Sequence, residues 1–157
     1  DSSLIARKLA PARRVLIASP GYIAQYGRPK TPGDLINHRC LAYGQSTVNS
    51  LRWQLTRGEE TITVPVASQL CSNNGEILRA AAIAGNGIAK LPTFIVGHDI
   101  SEGRLEVLMP DYPPTELGIY ALYAPNRYLA AKTRVLIDHL AERFGGTPEW
   151  DGFLGKR

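Results

Sequence analysis

NNGEILRAAAIAGNGIAKLPTFIV, residues 73–96, is the stretch that decides the fold. Asn73 and Glu76 have the three-residue offset of a capping box, so a helix is expected to start here with Asn73 as its cap. Ile77 to Ala84 is apolar nearly all round except at Arg79, which predicts a mostly buried helix. Gly85 stands where a C′ glycine stops such a helix. Gly87–Leu91 reads as a short strand ended by Pro92, and Thr93–Val96 as a further short helix. Helix, strand and helix in immediate succession are the signature of an α/β fold.

The flanking sequence continues the alternation. Towards the N-terminus, Leu4–Leu9 predicts a short strand, and Arg14-Val15-Leu16-Ile17-Ala18-Ser19 a second, apolar on both faces and therefore covered on both sides. Ser19 as N-cap with Pro20 at the first helical position opens a helix to Tyr26, and Gly27 stops it. Thr31-Pro32 repeats the start signal for a shorter helix. Cys40–Tyr43 predicts a strand. Leu51, Trp53, Leu55 and then Ile62, Val64, Val66 alternate with polar residues, as half-buried strands do, with Arg57-Gly58-Glu59-Glu60 as the turn between them. Pro65 puts the second of these at an edge or bulge. The segment before Asn73 reads as a polar connection.

Towards the C-terminus, Leu105–Met109 is extended and Leu117–Ala124 is apolar on both faces, predicting a central strand. Leu129, Thr133, Leu136, Ile137, Leu140 and Phe144 share one helical face, with Asn126 as cap and Gly145-Gly146 as stop. The tail from Thr147 is expected to be loose, with Trp150 and Phe153 as the residues able to dock. The whole pattern predicts a largely parallel sheet. The buried strands near 14–19 and 117–124, far apart in sequence, fit two connections between lobes with a ligand cleft between them.

Composition sets outer limits. The 157 residues are 44% hydrophobic and 20% charged, enough for a packed core. No apolar run reaches the length of about eighteen residues needed to cross a membrane. Asp1-Ser2-Ser3 does not begin a signal peptide. The chain begins without Met, directly before an apolar run, and is expected to be a segment of a longer protein. Cys40 and Cys71 lack metal-ligand spacing and read as small buried hydrophobes, with a disulfide left open. The net charge of +4 comes from residues 1–30, where Arg7, Lys8, Arg13, Arg14, Arg28 and Lys30 face only Asp1. So short a cluster beside a strand reads as a solvated strand end.

The chemistry is that of a binder. The three histidines, His38, His98 and His139, fall in two loops and on a polar helix face, and no nucleophile elbow, zinc-protease motif or P-loop is present. Gly85-Asn86-Gly87 follows a helix and reads as its stop. No catalytic residue, metal site or cofactor is expected, nor a zinc finger, helix-turn-helix or RNA motif within these residues. The helix starts at Ser19-Pro20 and at Asn73-Asn74-Gly75 offer free N–H groups to an anion, and the same side chains serve as ordinary caps; the two roles can coexist.

Four segments together resemble one family: LIARKLAPARRVLIASPGYIAQYGRPKTPGDLINHRCL (4–41), residues 73–96, GRLEVLMPDY (103–112) and YLAAKTRVLIDHLAERFG (128–145). They look like the effector-binding domain of LysR-type transcriptional regulators, in the family's order from Ser2 to about Gly145. The resemblance implies a type II periplasmic-binding-protein-like fold, two Rossmann-like lobes joined by two crossover strands, with the first lobe incomplete here. It divides the chain into residues 1–19 (part of the first lobe and a crossover strand), 20–113 (second lobe), 114–146 (return strand and C-terminal helix of the first lobe) and the tail 147–157.

The same resemblance implies a cytoplasmic regulator, a homodimer or tetramer, in which a small-molecule effector such as a carboxylate or amino-acid-like metabolite binds between the lobes. DNA is reached only through a separate N-terminal winged helix-turn-helix domain. It implies Ser19, Pro20, Asn73, Asn74, Gly75, Leu91, Pro92 and Phe94 as pocket residues, with core packing the other reading of Leu91 and Phe94. Arg79 and Lys90 read as facing solvent. Absent first-lobe strands would leave an exposed sheet edge and apolar surface. A stand-alone solute-binding protein of the same fold is the alternative, and an enzyme on this scaffold lacks a reactive cluster.

Overall fold

The structure, a computed structural model, describes residues 4–44, 51–124 and 131–155. Strand β1 (Ile5–Ala12) and strand β2 (Arg14–Ala18) are separated by Arg13 alone. Helix α1 (Pro20–Tyr26) follows. Its cap is Ser19, whose Oγ accepts the Tyr22 N–H at 3.2 Å, and it ends at Gly27, whose φ of 84° suits glycine. A 3-10 turn (Pro32–Asn37) begins at Thr31, where the Asp34 carboxylate accepts the N–H groups of Lys30 and Thr31.

Strand β3 (Cys40–Tyr43) leads to the hairpin β4 (Leu51–Arg57) and β5 (Glu60–Val66). Strand β6 (Ser68–Ser72) occupies what the sequence suggested was a polar connection; as an edge strand it buries little, so no apolar alternation marks it. Helix α2 (Gly75–Ile83) is capped by Asn74, one residue later than expected: its Oδ1 accepts the Glu76 N–H at 2.9 Å. Gly85 and Asn86 close α2 by donating to the carbonyls of Ala82 and Ala81, a Schellman motif, with Gly85 at φ 79°. Strand β7 (Ile88–Pro92) runs into helix α3 (Thr93–Ser101), longer than expected, then β8 (Glu106–Leu108), β9 (Leu117–Tyr123), helix α4 (Ala131–Phe144) and a C-terminal 3-10 turn (Glu149–Gly155).

Five strands form one sheet in the order β6-β3-β7-β2-β8. β3 is parallel to β6 and β7, whereas β2 is antiparallel to both β7 and β8. The sheet is therefore mixed rather than largely parallel: β2 alone opposes the others, and the carboxyl ends of β3, β6, β7 and β8 reach one edge. Both faces are covered. Leu16, Cys40 and Ile88 pack towards the β4–β5 hairpin through Trp53, Leu55, Val64 and Val66. Val15, Ile17, Leu41, Ala89 and Leu91 pack towards α2 and α3 through Leu78, Ala82 and Val96. Alternation within strands that are apolar throughout thus fills two layers. α2 is amphipathic rather than buried all round: Leu78 is inaccessible, whereas Ile77 is exposed.

Among the described residues, β1 pairs only with β9, antiparallel, and α4 lies against β1. β9 was expected to be a buried central strand. In this chain it is one of two strands, and Leu117, Ile119, Tyr120 and Leu122 are exposed, as are Val135 and Leu136 of α4. The expected buried face of α4 therefore reduces to Ile137, with Thr133, Leu140 and Phe144 half-buried. Asn126 and Leu129 lie outside the described residues. The C-terminal residues, expected to be loose, dock: Trp150 stacks on Phe144 and meets Phe94 edge-on, and Asp151 is buried.

Candidate ligand cavity

At the edge where the parallel strands end lies a cavity of about 400 Å³. Tyr43 closes β3, Leu91 and Pro92 close β7, and Gly75 opens α2 after β6; all line it, with Trp53 of the hairpin and Phe94 of α3. Carboxyl ends of strands facing helix starts are where α/β sheets place ligands. Gly75 lies against Ile95: an added Cβ would meet the tip of that side chain, Cδ1, at 2.5 Å, and Ile95 would have to shift.

Three cations reach this cavity: Arg14, Arg52 and Lys90. Arg14 donates through Nε and a terminal nitrogen to the Thr115 carbonyl, at 3.1 and 2.8 Å. Lys90 projects from β7 to the hairpin side, its Nζ 5.4 Å from the centre of the Trp53 ring. Burial, with the neighbouring Arg14 charge adding, pushes the Lys90 ammonium down to about 8. Among the described residues, the lining holds no Asp or Glu.

The sequence-derived pocket residues separate into three groups. Gly75, Leu91, Pro92 and Phe94 line the cavity. Leu91 is also core, fully buried among Leu41 and Leu78, while Phe94 is half-exposed. Asn73 and Asn74 stand at the adjacent helix start, exposed and outside the lining, with Asn74 occupied as the cap. Ser19 and Pro20 sit at the opposite end of β2, in a groove with Gly85 and Arg104, and are not brought together with the rest.

Lys90, Arg14 and Trp53 are lining residues that sequence reasoning missed. Lys90 lines the cavity instead of facing open solvent, and a lone cation in the apolar run Ile88–Leu91 is its signal in the sequence. Arg79, likewise expected to face solvent, binds the fully buried Asp99, and Arg104 meets the same carboxylate at 2.8 Å. Burial would raise the Asp99 carboxyl, but the hydrogen bonds and charge of Arg79, helped by Arg104 and His98, hold it below its ordinary value. This cluster ties α2 to α3 behind the cavity.

A second cavity, of about 350 Å³, lies behind β2 against Leu108, Met109, Pro113 and Pro114. Its polar rim is already engaged: Thr56 Oγ1 donates to the Pro113 carbonyl, and Arg13 pairs with Asp151 and Glu116. Cys40 is buried, and burial pushes its thiol up to about 12, which makes it a core residue and not a nucleophile. Cys71 is half-buried and also free, so the two cysteines form no disulfide. Among the described residues, no group of three His, Cys, Asp or Glu side chains could hold a metal ion.

The family pattern of the LysR substrate binding domain matches residues 1–145. The chain belongs to the LysR substrate-binding domain family. It is 37% identical over 132 residues to an uncharacterized HTH-type transcriptional regulator of Haemophilus influenzae, covering 84% of this chain and 46% of that protein. It is 35% identical over 149 residues to the HTH-type transcriptional regulator PtxR of Pseudomonas aeruginosa, covering 94% and 47%. The CrgA regulatory domain, from a LysR-type regulator of Neisseria meningitidis, superposes with a TM-score of 0.76 at 31% identity, over 92% of this chain and 71% of that one. This LysR domain spans about half the length of the curated relatives it matches. Its fold is that of LysR-type regulatory domains, the type II periplasmic-binding-protein-like architecture that the sequence resemblance implied.

Proposed function

We propose that this chain is the ligand-sensing part of a LysR-type transcriptional regulator, binding a small-molecule effector in the cavity between Gly75, Leu91 and Phe94. The observation that carries this reading is the cavity itself, set at the carboxyl ends of β3 and β7 and the start of α2 in a domain of this family. The effector binds one arrangement of the domain better and shifts the population towards it. A separate winged helix-turn-helix domain reads DNA, and the protein works in the cytoplasm as a homodimer or tetramer. The chain performs no catalysis.

Residues 20–113 act as the second lobe, 1–19 and 114–146 as the crossover strands with the described part of the first, and 147–157 as a C-terminal extension. Asn73 and Asn74 contribute at the rim, and Ser19 and Pro20 act at the far end of β2. No observation favours a stand-alone solute-binding protein.

A thermal-shift screen of the full-length regulator against small metabolites tests the reading. A ligand at ~100 times its Kd adds about 2.7 kcal/mol of stability. A saturable shift that is lost when Phe94→Ala alters the cavity wall supports it. No shift from any chemical class would sink it.

A further inference from the structure

Lys90 is an anomaly in its strand. Ile88, Ala89 and Leu91 around it are fully buried, and the position faces the hairpin layer, where an apolar side chain would pack. Among the described residues, the other cations that meet no carboxylate are exposed, Arg52 included, except Arg14, which is bonded to the Thr115 carbonyl; Lys90 is partly buried and has no such partner. A partly buried ammonium without an anion is costly. The Trp53 face offsets part of that cost, as a cation–π contact does, but supplies no charge. Among the described residues, every charged group that lines the cavity is positive: Arg14 from the start of β2, Arg52 from β4 and Lys90 from β7.

We propose that Lys90 is the specificity-determining anchor for an anionic effector, a small organic carboxylate with an apolar body and no ammonium group. This rests on the cavity being the effector site, and it selects among the effector classes that the family resemblance leaves open. The carboxylate supplies the counter-charge that the protein withholds, beside Lys90 and the α2 N-terminus, which adds a positive dipole end. Trp53, Leu91, Phe94 and Ile95 give the apolar body its surface. An amino acid is disfavoured because its ammonium would meet three cations and no acid.

The position of the Lys90 titration near 8 makes the proposal testable by pH. A bound carboxylate favours the ammonium, so binding takes up a proton above pH 8 and weakens as Lys90 deprotonates in the free protein.

The experiment is a binding screen on the full-length regulator with matched sets, each a carboxylate, the corresponding α-amino acid and the corresponding alcohol. One such set is 3-phenylpropanoate, L-phenylalanine and 3-phenylpropan-1-ol; the others are aromatic and aliphatic sets of about four to ten carbons. Binding is expected from carboxylates alone. It should fall about tenfold or more in Lys90→Met, stay within about threefold in Lys90→Arg, and decline above pH 8 in the wild type only.

Lys90→Met should melt no lower than the wild type without ligand, and Lys90→Gln serves as the neutral variant if it does. Binding by the amino-acid or alcohol members, or carboxylate affinity unchanged in the neutral variant, would overturn the anchor and leave the effector-site reading standing. Silence from every set would overturn both.

Discussion

Asp151, fully buried in the C-terminal 3-10 turn, is ion-paired to Arg13, the single residue that joins β1 to β2, 138 positions earlier in the chain. The pair is asymmetric, because Arg13 keeps solvent and Glu116 within reach while Asp151 has neither. Arg13→Met should therefore cost more, about 2–4 kcal/mol, because it strands a buried carboxylate. Asp151→Asn should cost about 1–2 kcal/mol. Denaturant titration of both single variants and the double variant checks this; the double variant should be more stable than Arg13→Met alone.

Gly97 of α3 faces the Trp150 carbonyl so closely that any Cβ would collide with backbone, which cannot swing aside as a side-chain tip can. Gly97→Ala should lift the 149–155 turn off α3. The expected result is faster proteolytic cleavage after residue 147, red-shifted Trp150 emission in a Trp53→Phe background, and about 1–3 kcal/mol lost stability. Unchanged cleavage and emission would show that the turn tolerates the methyl group.

Below pH 4 the Asp99 cluster becomes the weak point. Its carboxyl is held below its ordinary value of 3.8, so the folded chain binds this proton less readily than the unfolded chain. The stabilisation is complete above pH 3.8 and is lost as pH falls through the lower folded value. Asp99→Asn should lower stability at pH 7 and flatten the acid limb of a melting-temperature profile. A parallel limb in both proteins would assign acid sensitivity elsewhere.

The alkaline side has the opposite sign. The folded chain releases the Lys90 proton near pH 8, the unfolded chain near 10.5, so unfolding takes up a proton between these values. Ligand-free stability contributed by Lys90 should rise across that window, on the order of 2 kcal/mol once solvent screening of a half-buried group is allowed for. Lys90→Met should remove the rise. Chemical denaturation at pH 7.5, 9 and 10 measures it.

Local chemistry makes most elements legible in the sequence. The Ser19-Pro20 start, the Gly27 and Gly85 stops and the Trp53/Val64 alternation are each fixed within a few residues. What failed depended on neighbours far away in sequence. β9 is apolar on both faces, the pattern of a central strand, but burial is decided by what pairs with it, and among the described residues β1 is its only partner. The tail looked loose because Gly146, Thr147 and Gly155 are weak signals, whereas Phe94, Gly97 and Arg13 hold Trp150 and Asp151 from other parts of the chain.

The cavity was legible by half for the same reason. Gly75, Leu91, Pro92 and Phe94 come from the one stretch with strong local signals. Lys90 joins them only because the hairpin carries Trp53 over β7, and Ser19 departs because β2 runs against its neighbours and carries its carboxyl end away.

The Arg13 carbonyl accepts both the N–H and the Oγ1 hydroxyl of Thr93, at 2.9 and 3.2 Å. Thr93 sits between Pro92 and Phe94, which both line the cavity. The single residue that joins β1 to β2 is thus bonded directly to the segment carrying two wall residues, so the cavity wall and the β1–β9 pair share one hydrogen-bonded junction.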